Sequence, residues 1–429
     1  NLDIKWTANP ATFGNVKVYY TKDGGTNLID TVASNNQPSG YGGGEYGYRW
    51  LIPDAAVDTE VKIHITQEGV DTEKVVKDTS DLAFVIKGGI VLDNPDTQKP
   101  TWKVGDSNRE IHFTKKGPIG TIDVLYTLSG GTSSGFVPIE SNYSGSSPYY
   151  WNLNEAVYTD LATIEKNTLV RIKVRANTDP SIEDYSTDTF TIKADLTTLS
   201  ANVNGGGTKY VGDPASITWT TRGTIGTVDL RYSTDGGTSY NGIIDSNISN
   251  TGSFQWGTVG GIPNAIGDKV RVRVRSSNYP ADIMLSSAGN FTIKGKITFT
   301  YPVSTTTLFV GDPLTIQWNC NGTIGTAELR FSKVGGEPYD IQVAPSLNTG
   351  SLTQSWTVPN SLDSNNTDNK FKMIPSDLTK AEEAYSSLFI IRANLDLTYP
   401  NTTLGPFSAG SNLDIKWTAN PATFGNVKV

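Results

Sequence analysis

Along much of this chain apolar and polar residues alternate with a period of two. ASITWTT places Ile217 and Trp219 on one face and Ser216, Thr218 and Thr220 on the other. TVDLRYS sets Val228, Leu230 and Tyr232 inward, and VRVRVRS sets Val270, Val272 and Val274 inward with Arg271, Arg273 and Arg275 outward. Alternation of this kind predicts strands with one dry and one wet face, hence antiparallel sheets. Asp-Gly-Gly at 23–25 and 235–237 supplies hairpin turns, because glycine takes the positive φ that tight turns need. Helical periodicity nowhere lasts beyond a turn or two; SDLTKAEEAYSS (376–387) comes nearest and predicts a short loop helix.

The alternating segments repeat. EIHFTKKGPIGTIDVLYTLSGG (110–131), SITWTTRGTIGTVDLRYSTDGG (216–237) and TIQWNCNGTIGTAELRFSKVGG (315–336) align, and DIKWTANPATFGNVKVYYTKDGG (3–25) fits with one extra residue. The aromatics Trp6, Phe113, Trp219, Trp318 and Trp417 lie 107, 106, 99 and 99 residues apart. A second tryptophan recurs as Trp50, Trp151, Trp256 and Trp356. A closing strand recurs as AFVIK, TFTIK, NFTIK and LFIIR, and an aromatic ahead of the repeated block as Trp102, Tyr210, Phe309 and Phe407. Residues 412–429 then repeat residues 1–18 without a change, an offset of 411. The simplest account is a window on a longer array whose period is four units.

These landmarks divide the chain into units 1–88, 89–194, 195–294 and 295–393, with 394–429 opening a new copy of the first. Unit 1–88 lacks a first strand, which 396–411 of a preceding copy supplies in sequence. About seven short strands per hundred residues specify a two-sheet sandwich. In it Trp6, Trp50, Phe113, Trp151, Trp219, Trp256, Trp318 and Trp356 form the structural core between the sheets. The joints KGGIVLD, KADLTTL, KGKITFT and RANLDLT hold no Gly/Ser or Pro run, so neighbouring sandwiches are expected end to end in a semi-rigid rod.

Composition agrees with that picture and thins the chemistry. Of 429 residues 43 are glycine, 10% are aromatic and 18% are charged, and net charge is −8. An acidic chain gives nucleic acid no footing as a partner, and the Val-Arg stripe reads as a wet sheet face paired with acids such as Asp229. Cys320 is the only cysteine, so no disulfide staples the sandwiches, and it has no counterpart in other repeats. His64 and His112 fall in different repeats, giving neither a zinc pair nor a triad. No apolar run approaches a membrane span. No catalytic, cofactor-binding or metal residue is therefore expected. Calcium at a junction, through Asp93, Asp96 or Asp195, is the one cofactor left open. Two Gly/Ser/Tyr-rich loops, around Tyr41 and Tyr46 and around Tyr149 and Tyr150, are candidate contact loops.

The pattern W-x-x-x-G-T-I-G-x-V-x-L-x-Y-S-x-D-G-G-x-S-Y…N-T-G-S-F-x-W…V-R-V-R-V…F-T-I resembles the Ig-like repeats of large bacterial surface and secreted proteins. Those repeats are similar in pattern to the Ser/Thr-rich, yeast cell-wall-synthesis-type Ig-like module. The third repeat matches most fully. The first departs with NPATFG in the bend, and the fourth loses the Val-Arg alternation at 370–376. The resemblance implies an all-β tandem array of four seven-stranded antiparallel Ig-like or fibronectin-III-like sandwiches with a partial fifth copy. It implies an extracellular, cell-surface setting and a non-enzymatic structural role as filament, fibre or stalk, with self-association as the first partner. Two alternatives stay open: an adhesin gripping glycans or surface proteins through its Tyr/Gly-rich loops, and accessory repeats of a secreted hydrolase.

Overall fold

The computed structural model describes residues 2–8, 15–25, 27–36, 45–68, 76–95, 99–200, 203–362, 366–400 and 406–420. The described residues form strands joined by turns, with single 3-10 turns such as Asp54–Ala56 and Leu161–Thr163 and no α-helix. The chain divides into two compact units, Asn1–Asp195 with Arg222–Thr224 and Leu196–Thr221 with Ile225–Val429.

The second repeat shows the plan most completely. One sheet is Gly89–Asn94, Arg109–Lys116 and Tyr149–Trp151, antiparallel, with Arg109–Lys116 in the middle. The other runs Val137–Tyr143, Ile122–Thr127, Lys166–Ala176, Phe190–Lys193 and Thr101–Lys103, with Glu183–Tyr185 also on Lys166–Ala176. Alternate residues of both sheets meet in one core: Leu92, Ile111, Phe113 and Trp151 from the first, Val124, Tyr126, Val170, Ile172, Val174 and Phe190 from the second. A three-stranded sheet facing a larger one, with the middle strand of each taken from distant parts of the chain, is the Ig-like sandwich.

One pairing departs from the antiparallel expectation. Thr101–Lys103 runs parallel to Phe190–Lys193, as do Thr208–Tyr210 to Phe291–Lys294 and Thr307–Phe309 to Phe389–Arg392. The cause is a first strand that changes sheets. After Gly89–Asn94 has paired with Arg109–Lys116, the chain crosses over and lays Trp102 beside the closing strand. The recurring aromatic ahead of the repeated block marks this crossing. A second departure is at 376–387. There Asp377 caps a turn, accepting from Thr379 N at 2.9 Å, and the chain then pairs Ala384–Tyr385 with Lys372 and Met373 instead of winding a helix.

The fourth repeat has the same two sheets. Pro313–Asn321 lies between Lys296–Tyr301 and Thr353–Thr357, and its core gathers Ile316, Trp318, Leu329, Phe331, Phe371, Met373 and Phe389. In the first repeat, Leu2–Thr7 pairs with Glu45–Trp50 alone among the described strands. At the other end, Lys416–Asn420 pairs, among the described strands, with Asn394–Tyr399 alone. The identical terminal segments thus stand in different surroundings. Each shows one half of what Pro313–Asn321 does at once: its first residues meet the tryptophan-bearing strand Thr353–Thr357, its last residues meet Lys296–Tyr301.

Candidate functional site

Six of the eight core aromatics, Trp50, Phe113, Trp151, Trp219, Trp256 and Trp318, are buried, while Trp6 and Trp356 are half-buried at the edges of their clusters. Buried indole N–H groups usually find an acceptor; among the described residues that of Trp6 has none. Trp219 donates to Asn250 Oδ1 at 2.8 Å, and Trp318 donates to Thr349 O at 2.8 Å. Where phenylalanine stands instead, at Phe113, no such acceptor is required.

The Tyr-rich loops separate on inspection. Tyr41 lies outside the described residues. Tyr46 is in the strand Glu45–Trp50, buried, with its ring 6.4 Å from Trp6; it is not a contact-loop residue, because the strand alternation that exposes Arg49 turns Tyr46 inward. Tyr149 packs edge-on to Tyr143 at 5.1 Å, and its hydroxyl is pushed up to about 12 by burial, with Tyr158, Glu140 and Tyr143 adding to it. Of the three described, Tyr150 alone points outward, at 52% exposure.

No group of three or more His, Cys, Asp or Glu able to hold a metal occurs among the described residues. Asp93 accepts from Thr114 Oγ1 at 2.9 Å and Asp195 pairs with Lys103 at 2.8 Å, so the two aspartates are spent separately; Asp96 lies outside the described residues. His64 meets Thr79 Oγ1 at 2.6 Å and His112 meets Glu110 at 2.9 Å. Cys320 is half-buried, its thiol 3.5 Å from Gly322 O.

The Val-Arg stripe resolves into two recurring arrangements. Arg275 bonds Asp229 Oδ2 through Nε at 3.2 Å and Nη2 at 3.0 Å, and Arg175 bonds Asp123 Oδ2 at 2.8 Å in the repeat before. Burial raises the Asp229 carboxyl, but Asn247 N–H, the Ser277 hydroxyl and Arg275 outweigh it and hold the group below its ordinary value. Two residues earlier on the same strand, a cation sits over an aromatic from the neighbouring loop: Arg273 at 3.7 Å from Tyr240, Lys173 at 4.6 Å from Phe136, Lys372 at 5.4 Å from Tyr339. Burial alone would lower Lys372; Glu337 and Glu383 reverse that and raise it. The sequence pattern carries no periodic trace of these platforms, because cation and ring are more than thirty residues apart. Their only signal is an aromatic a few residues after each turn, at Phe136, Tyr240 and Tyr339.

Inside each compact unit, consecutive repeats meet in the same way. The closing strand Phe84–Ile86 passes to Gly89–Asn94 through two residues, and Phe291–Lys294 passes to Lys296–Tyr301 through Gly295 alone. A Cβ on Gly295 would lie 2.5 Å from Ile324 Cγ1 and 3.0 Å from Asn321 O; one on Gly88 would lie 2.9 Å from Ile119 Cγ1 and Lys116 O. The bend of each later repeat then rests on a loop of the earlier one. Gly117 abuts Val57, and Asn264 both donates to Thr323 Oγ1 at 2.7 Å and accepts from Thr323 N at 3.2 Å. Ion pairs flank the joints: Lys87–Asp179 at 2.9 Å, Lys296–Asp213 at 3.0 Å. The partial copy joins alike, since Asn420 Nδ2 donates to Asn360 Oδ1 at 3.0 Å, beside the loop at Gly311.

The first repeat also carries an open cleft of about 650 Å³. It runs along Leu2–Thr7 and is floored by Val16, Ile63 and Ile65, with Val76, Asp78 and Phe84 opposite.

No protein-family model and no curated protein sequence matches the chain. Solved structures similar to it are tandem β-sandwich proteins. The N-terminal four Ig domains of Dscam1 isoform 6.9 are 9% identical, with 88% of this chain and 91% of that one covered, at a TM-score of 0.23. The titin I-band fragment I67–I69 is 9% identical, covering 71% and 98%, at 0.23. The fibronectin(III)-like modules of Clostridium thermocellum CbhA are 15% identical, covering 46% and 91%, at 0.16. At such scores the superpositions carry no argument; the Ig-like fold rests on the sheets and cores described above. No helix among the described residues is long and apolar enough to cross a membrane.

Proposed function

We propose that this chain is a structural tandem-repeat protein of an extracellular surface filament, fibre or stalk, built from sandwiches 1–88, 89–194, 195–294 and 295–393, with 394–429 opening the next copy. The observation that carries the reading is the repeated joint. Linkers of one or two residues, a glycine that lets the next bend approach, and a polar clasp from bend to loop leave little freedom between neighbours within a unit. Asn420 makes the same kind of clasp at the start of the next copy, at the 411-residue offset. The exposed faces are occupied by ion pairs and cation–aromatic pairs that stabilise the sheets themselves, and the reading assigns no catalytic group. Small-angle scattering and electron microscopy of the chain test it: an elongated particle with a sandwich-scale beat is expected, and a compact particle overturns it. The adhesive alternative rests on Tyr150, in the strand Tyr149–Trp151, the one of Tyr46, Tyr149 and Tyr150 held outward. Glycan-array binding abolished by Tyr150→Ser would favour it.

A further inference from the structure

The edge strand of the larger sheet carries the same irregularity in two consecutive repeats. Among the described strands, Val137–Tyr143 and Gly242–Ser249 each lie at one end of their sheet. In each the register slips, from Ile122 opposite Tyr143 to Val124 opposite Glu140, and from Val228 opposite Ile248 to Leu230 opposite Asp245. The extra residue makes a bulge. Asn142 and Asn247 occupy it at φ 58° and 55°, the left-handed region that asparagine enters more readily than most residues. A buried aspartate of the neighbouring strand fixes each backbone: Asp123 Oδ1 accepts from Asn142 N at 3.1 Å, and Asp229 Oδ1 accepts from Asn247 N at 3.0 Å. Both asparagines are exposed, and among the described residues neither side-chain amide makes a hydrogen bond.

The bulge accounts for the asparagines but not for their neighbours. Two residues on stand Ser144 and Ser249, both exposed, with hydroxyls that make no hydrogen bond among the described residues. Two residues before stand Glu140 and Asp245. The segments Glu-Ser-Asn-Tyr-Ser and Asp-Ser-Asn-Ile-Ser thus set an acid, a free amide and a free hydroxyl in the same places, and Asn-x-Ser is the acceptor pattern of N-linked glycosylation. The other repeats lack the set. In the fourth the same slip falls on Ala344-Pro345-Ser346-Leu347-Asn348, with Ser346 in the place of the asparagine. In the first, Ala33-Ser34-Asn35-Asn36-Gln37 keeps an asparagine without the acid or the hydroxyl. The remaining Asn-x-Thr triplets among the described residues are engaged elsewhere. Asn290 Oδ1 accepts from Arg271 Nε at 2.7 Å, and the next residue, Phe291, is buried. In Asn321-Gly322-Thr323 the Thr323 hydroxyl accepts from Asn264 Nδ2 at 2.7 Å, and a Cβ on Gly212 would lie 2.6 Å from Asn321 Nδ2. Asn365 and Asn401 lie outside the described residues.

We propose that Asn142 and Asn247 are N-glycosylation sites, acceptors for an oligosaccharide carried as the glycosyl ester of a polyprenyl diphosphate and moved by a membrane oligosaccharyltransferase. The amide nitrogen Nδ2 attacks the anomeric carbon, and a C–N bond forms. The bond from that carbon to the phosphate oxygen breaks, its electron pair leaves with the lipid diphosphate, and one amide proton passes to a base of the transferase. Nothing is oxidised or reduced. The serine two residues on holds the acceptor in place on the enzyme through its hydroxyl, and the acid two residues before is read by a cationic contact. Both acceptors are exposed in the folded sandwich, so transfer does not require an unfolded chain. A glycan there covers the outer side of the edge strand in the second and third repeats, where a bare edge invites pairing with other chains. The proposal goes beyond the structural reading above and rests on it only for the extracellular setting.

The test is peptide mass mapping of the protein isolated from its own cells, with fragmentation that keeps a glycan on the residue it modifies. Sugar is expected on Asn142 and Asn247 and not on Asn290 or Asn321. Ser144→Ala, at an exposed side chain without a hydrogen bond and so harmless to folding, should strip the sugar from Asn142 and leave Asn247 modified. Glu140→Gln keeps the size of the side chain and removes its charge; it should lower occupancy of Asn142 by about tenfold or more, as loss of one charge-assisted contact to the transferase implies. Bare asparagines at both positions, sugar carried equally by Asn290 or Asn321, or occupancy of Asn142 indifferent to Ser144→Ala or to Glu140→Gln overturns the inference. An elongated particle with bare asparagines would sink this proposal and leave the structural function standing; a compact particle would sink that function whatever the asparagines carry.

Discussion

Replacing Trp219 by alanine should unfold the third repeat while leaving its neighbours folded. Its side chain is 3% exposed, and its N–H ends on Asn250 Oδ1. The other end of that amide donates to Thr221 Oγ1 and Ile225 O, both at 3.0 Å, so the indole holds the bend as well as filling the core. Loss of a buried tryptophan side chain costs about 3–5 kcal/mol. Leaving Asn250 Oδ1 without its donor costs about 1–3 kcal/mol more. The total, about 4–8 kcal/mol, is comparable with the whole stability of a domain this size, about 5–15 kcal/mol. Trp219→Phe separates the two terms. It keeps a ring, as Phe113 does in the preceding repeat, and should cost about 1–3 kcal/mol, mostly from the orphaned amide oxygen. A chain with several cooperative regions has no single melting temperature. The assay is therefore hydrogen exchange read peptide by peptide: Trp219→Ala should strip protection from about residue 195 to 294 and from nowhere else. Unchanged protection there, or equal losses for Trp219→Ala and Trp219→Phe, would refute the reasoning.

Three further outcomes follow from the geometry. Asp229 and Asp123 have folded pKa values below the unfolded value, so their contribution is present above about pH 4 and is lost as pH falls through the folded values. Asp229→Asn should cost about 1–3 kcal/mol at neutral pH and flatten the acid limb of stability measured by denaturant titration; an acid limb no flatter than that of the unmodified chain would count against the Arg275 pairing. Gly295→Ala should cost about 1–3 kcal/mol through overpacking against Ile324 and Asn321 O, visible as faster exchange on both sides of the joint; a neutral effect would mean the joint yields more easily than its contacts imply. Tyr149→Ser should destabilise the second repeat by about 2 kcal/mol, as loss of a packed ring requires, while Tyr150→Ser should stay within about 0.5 kcal/mol; equal melting shifts would dissolve the distinction between them.

Period-two alternation is a local signal, and it survived because each strand has one face on a core. Ile217, Val228, Leu230, Val270, Val272 and Val274 are all buried, as their positions imply, and the interleaved arginines reach the surface. What could not be read locally is partnership. The Asp229–Arg275 pair was legible because the acid and the stripe recur together. The cation–aromatic platforms were not, because a ring thirty residues from its cation leaves no periodic trace. The Gly/Ser/Tyr-rich composition around Tyr46 reads as a loop, yet its place in a strand opposite Trp6 decides its direction. In 376–387 the Ala-Glu-rich composition favours helix, but the ladder from Ala384 to Met373 overrides propensity.

The terminal segments make the same point as an internal control. Leu2–Thr7 and Lys416–Asn420 lie within identical eighteen-residue sequences, and each is a strand with one described neighbour. Strand state therefore follows from sequence plus a single partner. Burial does not. Ile4, paired with Tyr48, is 6% exposed in a cluster with Val16, Val18, Val61 and Ile63, whereas its twin Ile415, just outside the strand Lys416–Asn420, is 41% exposed and has no facing sheet among the described residues. What a strand buries is set by the sheet that faces it more than by its own propensity.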